Sequence, residues 1–135
     1  MTIAQSLAGL PAFLTYFFLS LALLVVFLAV YLAITPYSEL ALIRQGNVAA
    51  AISLGGSLIG FVLPLARAVT QSVSTLDLVT WGGVALVVQV VVFLLVGKLV
   101  PKLTKAVRDG QVAAAAFLAS LAAAVGLLNA ASMTI

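Results

Sequence analysis

Apolar residues run along this chain in four long blocks separated by short polar stretches. The blocks cover roughly residues 12–35, 46–69, 77–100 and 111–134. Each matches the ~20 apolar residues that a helix needs to cross about 30 Å of hydrocarbon. The first, Phe13 to Ile34, is almost unbroken Leu, Val, Phe and Ala, and Thr35-Pro36-Tyr37-Ser38-Glu39 ends it. Pro36 suits the first turn of a new helix, where a missing N–H costs nothing. Residues 37–44 then read as a short amphipathic stretch at the membrane surface, with Glu39 and Arg44 polar and Leu40, Leu42 and Ile43 apolar. Gly46 and Asn47 break it before the second block.

The second block carries small residues at helical spacing: Ser53, Gly56, Ser57 and Gly60. Gly56-x-x-x-Gly60 lets two helix backbones approach closely, and this face is the expected interface of a homo-oligomer. Pro64 predicts a kink near the helix end. Ser74-x-x-Asp77 resembles a capping box that opens the third helix. The third block is rich in Val, which in water would favour a strand. In lipid, an isolated run must be a helix, because an open strand leaves its backbone unsatisfied. The fourth block is Ala-rich, with Ala116, Ser120 and Ala124 as a second small-residue ladder.

Two stretches nearly repeat. Arg44-Gln-Gly-Asn-Val-Ala-Ala-Ala51 matches Arg108-Asp-Gly-Gln-Val-Ala-Ala-Ala115 at an offset of 64. Nine of 23 positions agree between 44–66 and 108–130. The flanks agree at offset 65: Thr15/Thr80, Tyr16/Trp81, Leu21/Leu86 and Pro36/Pro101. The chain therefore reads as a duplicated two-helix unit, with internal repeats of approximately 12–70 and 77–134. Two helices per copy give both copies one orientation, so their pseudo-twofold axis should follow the membrane normal. The expected fold is an all-α membrane protein: four transmembrane helices, as two parallel-topology repeats, in a single transmembrane domain over 1–135.

Composition agrees. The chain is 65% hydrophobic and 7% charged, against about 25% charged in soluble domains. The first residues carry no basic side chain, so the first block reads as a retained helix and not as a signal peptide. With no Cys and no His, disulfides, thiolate metal sites and imidazole chemistry are excluded. Lys and Arg set the orientation. Arg44, Lys98, Lys102, Lys105 and Arg108 fall in the first and third connectors, and Arg67 stands alone on the other side. Five against one places those connectors in the cytoplasm and both termini outside, in the periplasm. The last four of the five form one basic helical face.

Candidate chemistry is sparse. The acidic residues are Glu39, Asp77 and Asp109, all at predicted helix ends, which argues against a buried carboxylate within a span. No nucleophile–base pair or metal cluster is present, so no enzyme, cofactor or metal site is expected. Gln89, near mid-membrane, is a candidate pore or polar contact; the preferred reading is a hydrogen bond across a helix interface. Asn129 and Arg67 lie at similar depth and could line an outer vestibule. The preferred reading is that Arg67 reaches the headgroups and Asn129 bonds a backbone carbonyl. The expected partners are membrane lipids, further copies of the chain and a soluble cytoplasmic protein, with no nucleic acid.

Thr35-Pro36-Tyr37-Ser38-Glu39-Leu40, Arg44-Gln45-Gly46-Asn47-Val48-Ala49-Ala50-Ala51, Leu54-Gly55-Gly56, Gly60-Phe61 and the closing Gly126-Leu127-Leu128-Asn129-Ala130-Ala131-Ser132-Met133-Thr134 resemble the YjfL family of uncharacterised bacterial inner-membrane proteins. The resemblance covers essentially the whole chain. It implies a polytopic inner-membrane protein without assigned catalytic residues, acting in envelope stress beside soluble partners. Two function classes follow: a non-enzymatic homo-oligomeric platform, or a small channel or transporter with a path between repeats or subunits.

The charge asymmetry makes a direct prediction. Topology reporters fused after Lys105 should be active only in the cytoplasm, and reporters at the C-terminus only outside. A C-terminus found in the cytoplasm would overturn the both-ends-out arrangement.

Overall fold

The computed structural model describes residues 2–133. Met1, Thr134 and Ile135 lie outside the described residues, and with them the last residue of the expected fourth block. The chain is all-helical: α1 (Ile3–Leu7), α2 (Leu10–Ile34), α3 (Glu39–Arg44), α4 (Val48–Gln71), α5 (Thr75–Leu99), α6 (Pro101–Arg108) and α7 (Val112–Ser132). Four segments are long and apolar enough to span a membrane: Ile3–Ile34, Val48–Gln71, Thr75–Leu99 and Val112–Ser132. The element order runs long, short, long twice over, from α2 to α4 and again from α5 to α7. Gly46 and Gly110 stand at matching places after the two short helices, with φ of 85° and 87°. Only glycine adopts such angles without steric cost, which accounts for the repeated Arg-x-Gly.

Local chemistry sets the boundaries. Thr35 is extended (φ −70°, ψ 132°), as the residue before Pro36 is driven to be, and α2 stops there. Asn47 caps α4 by accepting from the Ala50 N–H at 3.0 Å. Its side-chain amide also donates to the Arg108 carbonyl at 3.1 Å, which ties the start of α4 to the end of α6. Ser74 caps α5 through the Asp77 N–H, and Asp77 accepts from the Val73 N–H, one residue short of a reciprocal box. The helix α4 runs unbroken through Pro64 to Gln71. The helix α1 opens with a capping box between Thr2 and Gln5, a signal that the reading of the first block passed over.

The centre of the bundle is the parallel pair α4 and α7. A Cβ on Gly56 would collide with Ala119, one on Gly60 would lie 2.5 Å from the Ala122 carbonyl oxygen, and one on Gly126 would strike the Gly60 backbone. The two backbones therefore touch along one seam, as small residues in membranes permit. At its far end Arg67 donates to the Met133 carbonyl at 3.5 Å. The expected oligomer face is thus occupied within the protomer: Ser53, Gly56, Ser57 and Gly60 are all buried. The other ladder, Ala116, Ser120 and Ala124, lies exposed on α7.

Aromatic rings join α2 to α4 and to α5. Phe27 stacks on Phe61 with centroids 4.6 Å apart, and Tyr31 meets Phe93 at 4.7 Å. Such pairs contribute about 0.5–1.5 kcal/mol beyond area burial. Phe13, Phe17, Phe18, Leu95, Phe117 and Leu128 are exposed, as lipid-facing residues should be.

The seam can be tested by adding single methyl groups. Gly60→Ala and Gly126→Ala press on backbone that cannot rotate away, and each should destabilise the protein by ~1–3 kcal/mol. Gly55→Ala and Gly83→Ala, with open space around them, should leave the midpoint nearly unchanged. Thermal unfolding in detergent distinguishes the pairs; equal loss at all four positions would contradict the seam.

Candidate functional site

The turn at Thr35-Pro36 folds the chain back over the end of the bundle. Thr35 Oγ1 fixes that turn by donating to the Tyr31 carbonyl at 2.6 Å. Glu39, the first residue of α3, is thereby carried inward and is 1% exposed. Ser53 and Ser57, four residues apart on α4, present two hydroxyls on one helical face. The Tyr31 hydroxyl sits among Ser53, Ser57 and Glu39, and the Tyr37 hydroxyl also faces Glu39. Neither carboxylate oxygen closes a hydrogen bond of good geometry, and nor does the Tyr31 hydroxyl. The expectation of a carboxylate merely at a helix end is corrected here: Glu39 is at a helix end and is buried as well.

Burial pushes the Glu39 carboxyl up to about 7, and the Tyr31 and Tyr37 hydroxyls only partly offset this. Burial, together with Glu39 nearby, also raises the Tyr37 phenol. A buried charge without partners is costly, and a carboxyl in that position gains by holding its proton.

Next to this cluster is a cavity of about 40 Å³, lined by Tyr31, Tyr37, Ser53, Ser57 and Gln89 among others. A water needs roughly 10–15 Å³ of such space, so a few fit. The Gln89 amide donates to the Ala122 carbonyl at 3.4 Å, the expected cross-helix bond, while its Oε1 has no partner. Gln89 thus joins the cluster that Tyr31, Ser53 and Ser57 form. Sequence reading singled out Gln89, and it took the two serines only as packing residues. Tyr31 was passed over, and Glu39 was taken only as a carboxylate at a helix end.

Beside the cavity lies a wider groove of about 420 Å³, between the end of α2, α5 and α6. Lys98, Lys105 and Arg108 line it, and no acidic residue does. Tyr37, Phe93, Gly97 and Thr104 line both spaces, so the groove abuts the cavity. Arg44 and Lys102 are exposed outside the groove lining. The Arg108–Asp109 pair, 3.8 Å apart and half exposed, is the one ion pair among the described residues, and pairs of this kind contribute little.

Arg67 and Asn129 do not form a joint site: Arg67 reaches Met133, and the Asn129 amide nitrogen is buried without a partner. Among the described residues no group of His, Cys, Asp or Glu could hold a metal ion as a cluster.

Architecture and composition define a polytopic all-helical membrane protein. The family profile described as Domain of Unknown Function (DUF350) matches residues 5–133, and the chain belongs to this family. It is 41% identical over 128 residues to the UPF0719 inner membrane protein YjfL of Escherichia coli (strain K12), covering 95% of this chain and 97% of that one. It is 28% identical over 87 residues to the UPF0719 transmembrane protein YshE of Bacillus subtilis (strain 168), covering 64% of this chain and 65% of the other. No solved structure matches.

Glu39 makes stability depend on pH. Its carboxyl titrates near 4.5 when free of the fold and near 7 within it. Protonation therefore favours the fold: the contribution is complete below about pH 4.5 and is lost as pH rises through about 7. Thermal stability in detergent should fall across that window by up to ~3 kcal/mol. Glu39→Gln should flatten the profile, and a variant profile parallel to wild type would contradict the assignment.

Proposed function

We propose that this chain is a non-enzymatic inner-membrane platform whose cytoplasmic end docks a soluble partner of acidic surface. The groove carries the reading: three cations line one space whose lining holds no acidic residue, and Asp109 pairs weakly with Arg108 alone. Complementary charge of this kind steers association and selects partners. Both termini lie in the periplasm in this arrangement, following the Lys and Arg asymmetry. The platform is homo-oligomeric, and because α7 covers the Gly56/Gly60 face, close packing between copies falls to the exposed Ala116, Ser120 and Ala124 ladder. The envelope-stress setting implied by the family resemblance suits a protein that recruits soluble partners to the membrane.

The cavity beside Gln89 favours a second reading, a small channel or transporter. Flux of ions into reconstituted liposomes separates the two: saturable or ion-selective flux supports transport, and its absence supports the platform.

Charge reversal tests the platform directly. Lys98→Glu combined with Lys105→Glu should abolish co-purification of an acidic soluble protein in mild detergent, while expression and thermal midpoint hold. Retention of every partner by the double variant would remove the basic groove as the docking surface.

A further inference from the structure

The groove between α2, α5 and α6 has two kinds of wall. Phe93, Leu94, Gly97 and Lys98 form one stripe of α5, and Thr104, Lys105 and Arg108 share one face of α6. Ile34, the last residue of α2, adds an apolar side. The 25 residues of α5 extend roughly 37 Å, more than about 30 Å of hydrocarbon. Its last turn, with Lys98, therefore stands among the lipid headgroups, and Leu94 lies one turn closer to the acyl chains. Gly97 has no side chain, and a Cβ there would meet only Thr104 Oγ1, at 4.0 Å. The groove is open at this point. An occupant must satisfy both walls: an anion for Lys98, Lys105 and Arg108, and an apolar part for Ile34, Phe93 and Leu94. Inorganic phosphate or an acidic protein surface answers the first wall alone. A phospholipid answers both, and the membrane supplies it.

We propose that this groove binds the headgroup of one anionic phospholipid, with its phosphate among Lys98, Lys105 and Arg108 and the start of its acyl chains against Ile34, Phe93 and Leu94. Basic pockets between membrane helices hold anionic headgroups in this way. The space of about 420 Å³ suits a headgroup, and most of each acyl chain stays in the bilayer. The Arg108 guanidinium can take two phosphate oxygens at once, and the lysines act as point charges. Its pairing with Asp109, at 3.8 Å and half exposed, is weak enough to yield. A zwitterionic choline headgroup would bring a further cation beside three others and is disfavoured. Arg44 and Lys102 lie outside the lining and take no part. The lipid site goes beyond the docking reading and does not rest on it: a soluble partner reaches these cations only by displacing the lipid.

Native mass spectrometry of the purified, delipidated full chain in mild detergent tests this by counting bound lipid. Phosphatidylglycerol should bind at lower concentration than phosphatidylcholine. Lys98→Gln and Lys105→Gln should each raise its half-saturating concentration roughly fivefold, the scale of one cation against an anionic lipid. Lys102→Gln should leave it unchanged. Gly97→Leu keeps every charge and fills the groove, and it should abolish binding; where it does not fold, the contrast between Lys98 or Lys105 and Lys102 carries the test. Equal binding of the two lipids by wild type, equal loss at Lys102, or undiminished binding by folded Gly97→Leu would overturn the site. Displacement of phosphatidylglycerol by inorganic phosphate at equal concentration would also overturn it, in favour of a free anion. Poly-glutamate bound by a chain that takes up no phosphatidylglycerol would overturn the lipid and leave the docking reading standing. Lipid bound as expected, with partner co-purification unaffected by Lys98→Glu and Lys105→Glu, would keep the lipid and remove the docking reading.

Discussion

The bundle depends on the backbone contact between α4 and α7. In lipid, apolar side chains gain little by leaving one apolar environment for another, so helices are held by fit. Fit is closest where Gly56, Gly60 and Gly126 remove the side chain from the seam. The Asn47–Arg108 bond closes one end of that seam and the Arg67–Met133 bond the other. With α4 and α7 fixed, the Phe27–Phe61 stack seats α2 on α4, and the Tyr31–Phe93 pair joins α2 to α5. The same seam turns Ser53 and Ser57 toward α2. The polar cluster is thus a by-product of where the glycines point.

Much of the fold was legible in the sequence because membranes restrict the choices. Four apolar blocks of span length must be helices; the last three observed spans lie close to the expected ones, and the first begins earlier, at Ile3, because α1 adds to it. The turn chemistry was legible in part: Ser74 caps α5 and Asn47 stands at the break before α4, whereas Pro36 lies in the bend ahead of α3 and not in its first turn, because Ser38 is the N-cap of that helix. The small-residue pattern at Gly56 and Gly60 announced a close backbone contact. It did not announce the partner, because a glycine stripe fits a helix of the same chain as well as one of another copy. Charge counting likewise collected Arg44 and Lys102 with the other cations, although the groove gathers only Lys98, Lys105 and Arg108.

Glu39 shows where linear reading stops. Its neighbours in sequence are those of a surface turn, and its place at the start of a six-residue helix is ordinary. Burial arises from the path of the connector, which Thr35 and Pro36 bend back over the bundle. That path brings Tyr37 and Glu39 against Tyr31, Ser53 and Ser57, residues from two other helices. Tyr37-Ser38-Glu39 was among the segments that carried the family resemblance, and that was the available signal. Hydropathy could not supply it, since hydropathy scores a residue and not its surroundings.

The groove and the buried carboxyl are close enough to influence one another. Both spaces share Tyr37 and Thr104, and Tyr37 feels Glu39 on one side and Arg108 on the other. An anion seated among Lys98, Lys105 and Arg108 adds negative potential beside the cavity. It favours the protonated carboxyl. Coupling between two binding sites is reciprocal, so the charge state of Glu39 must alter the affinity of the groove by the same factor. A neutral Glu39 leaves the positive field of the groove undiminished, and an uncompensated carboxylate reduces it. The sign is fixed by charge alone: whatever neutralises Glu39 strengthens the hold of the basic groove on an anion.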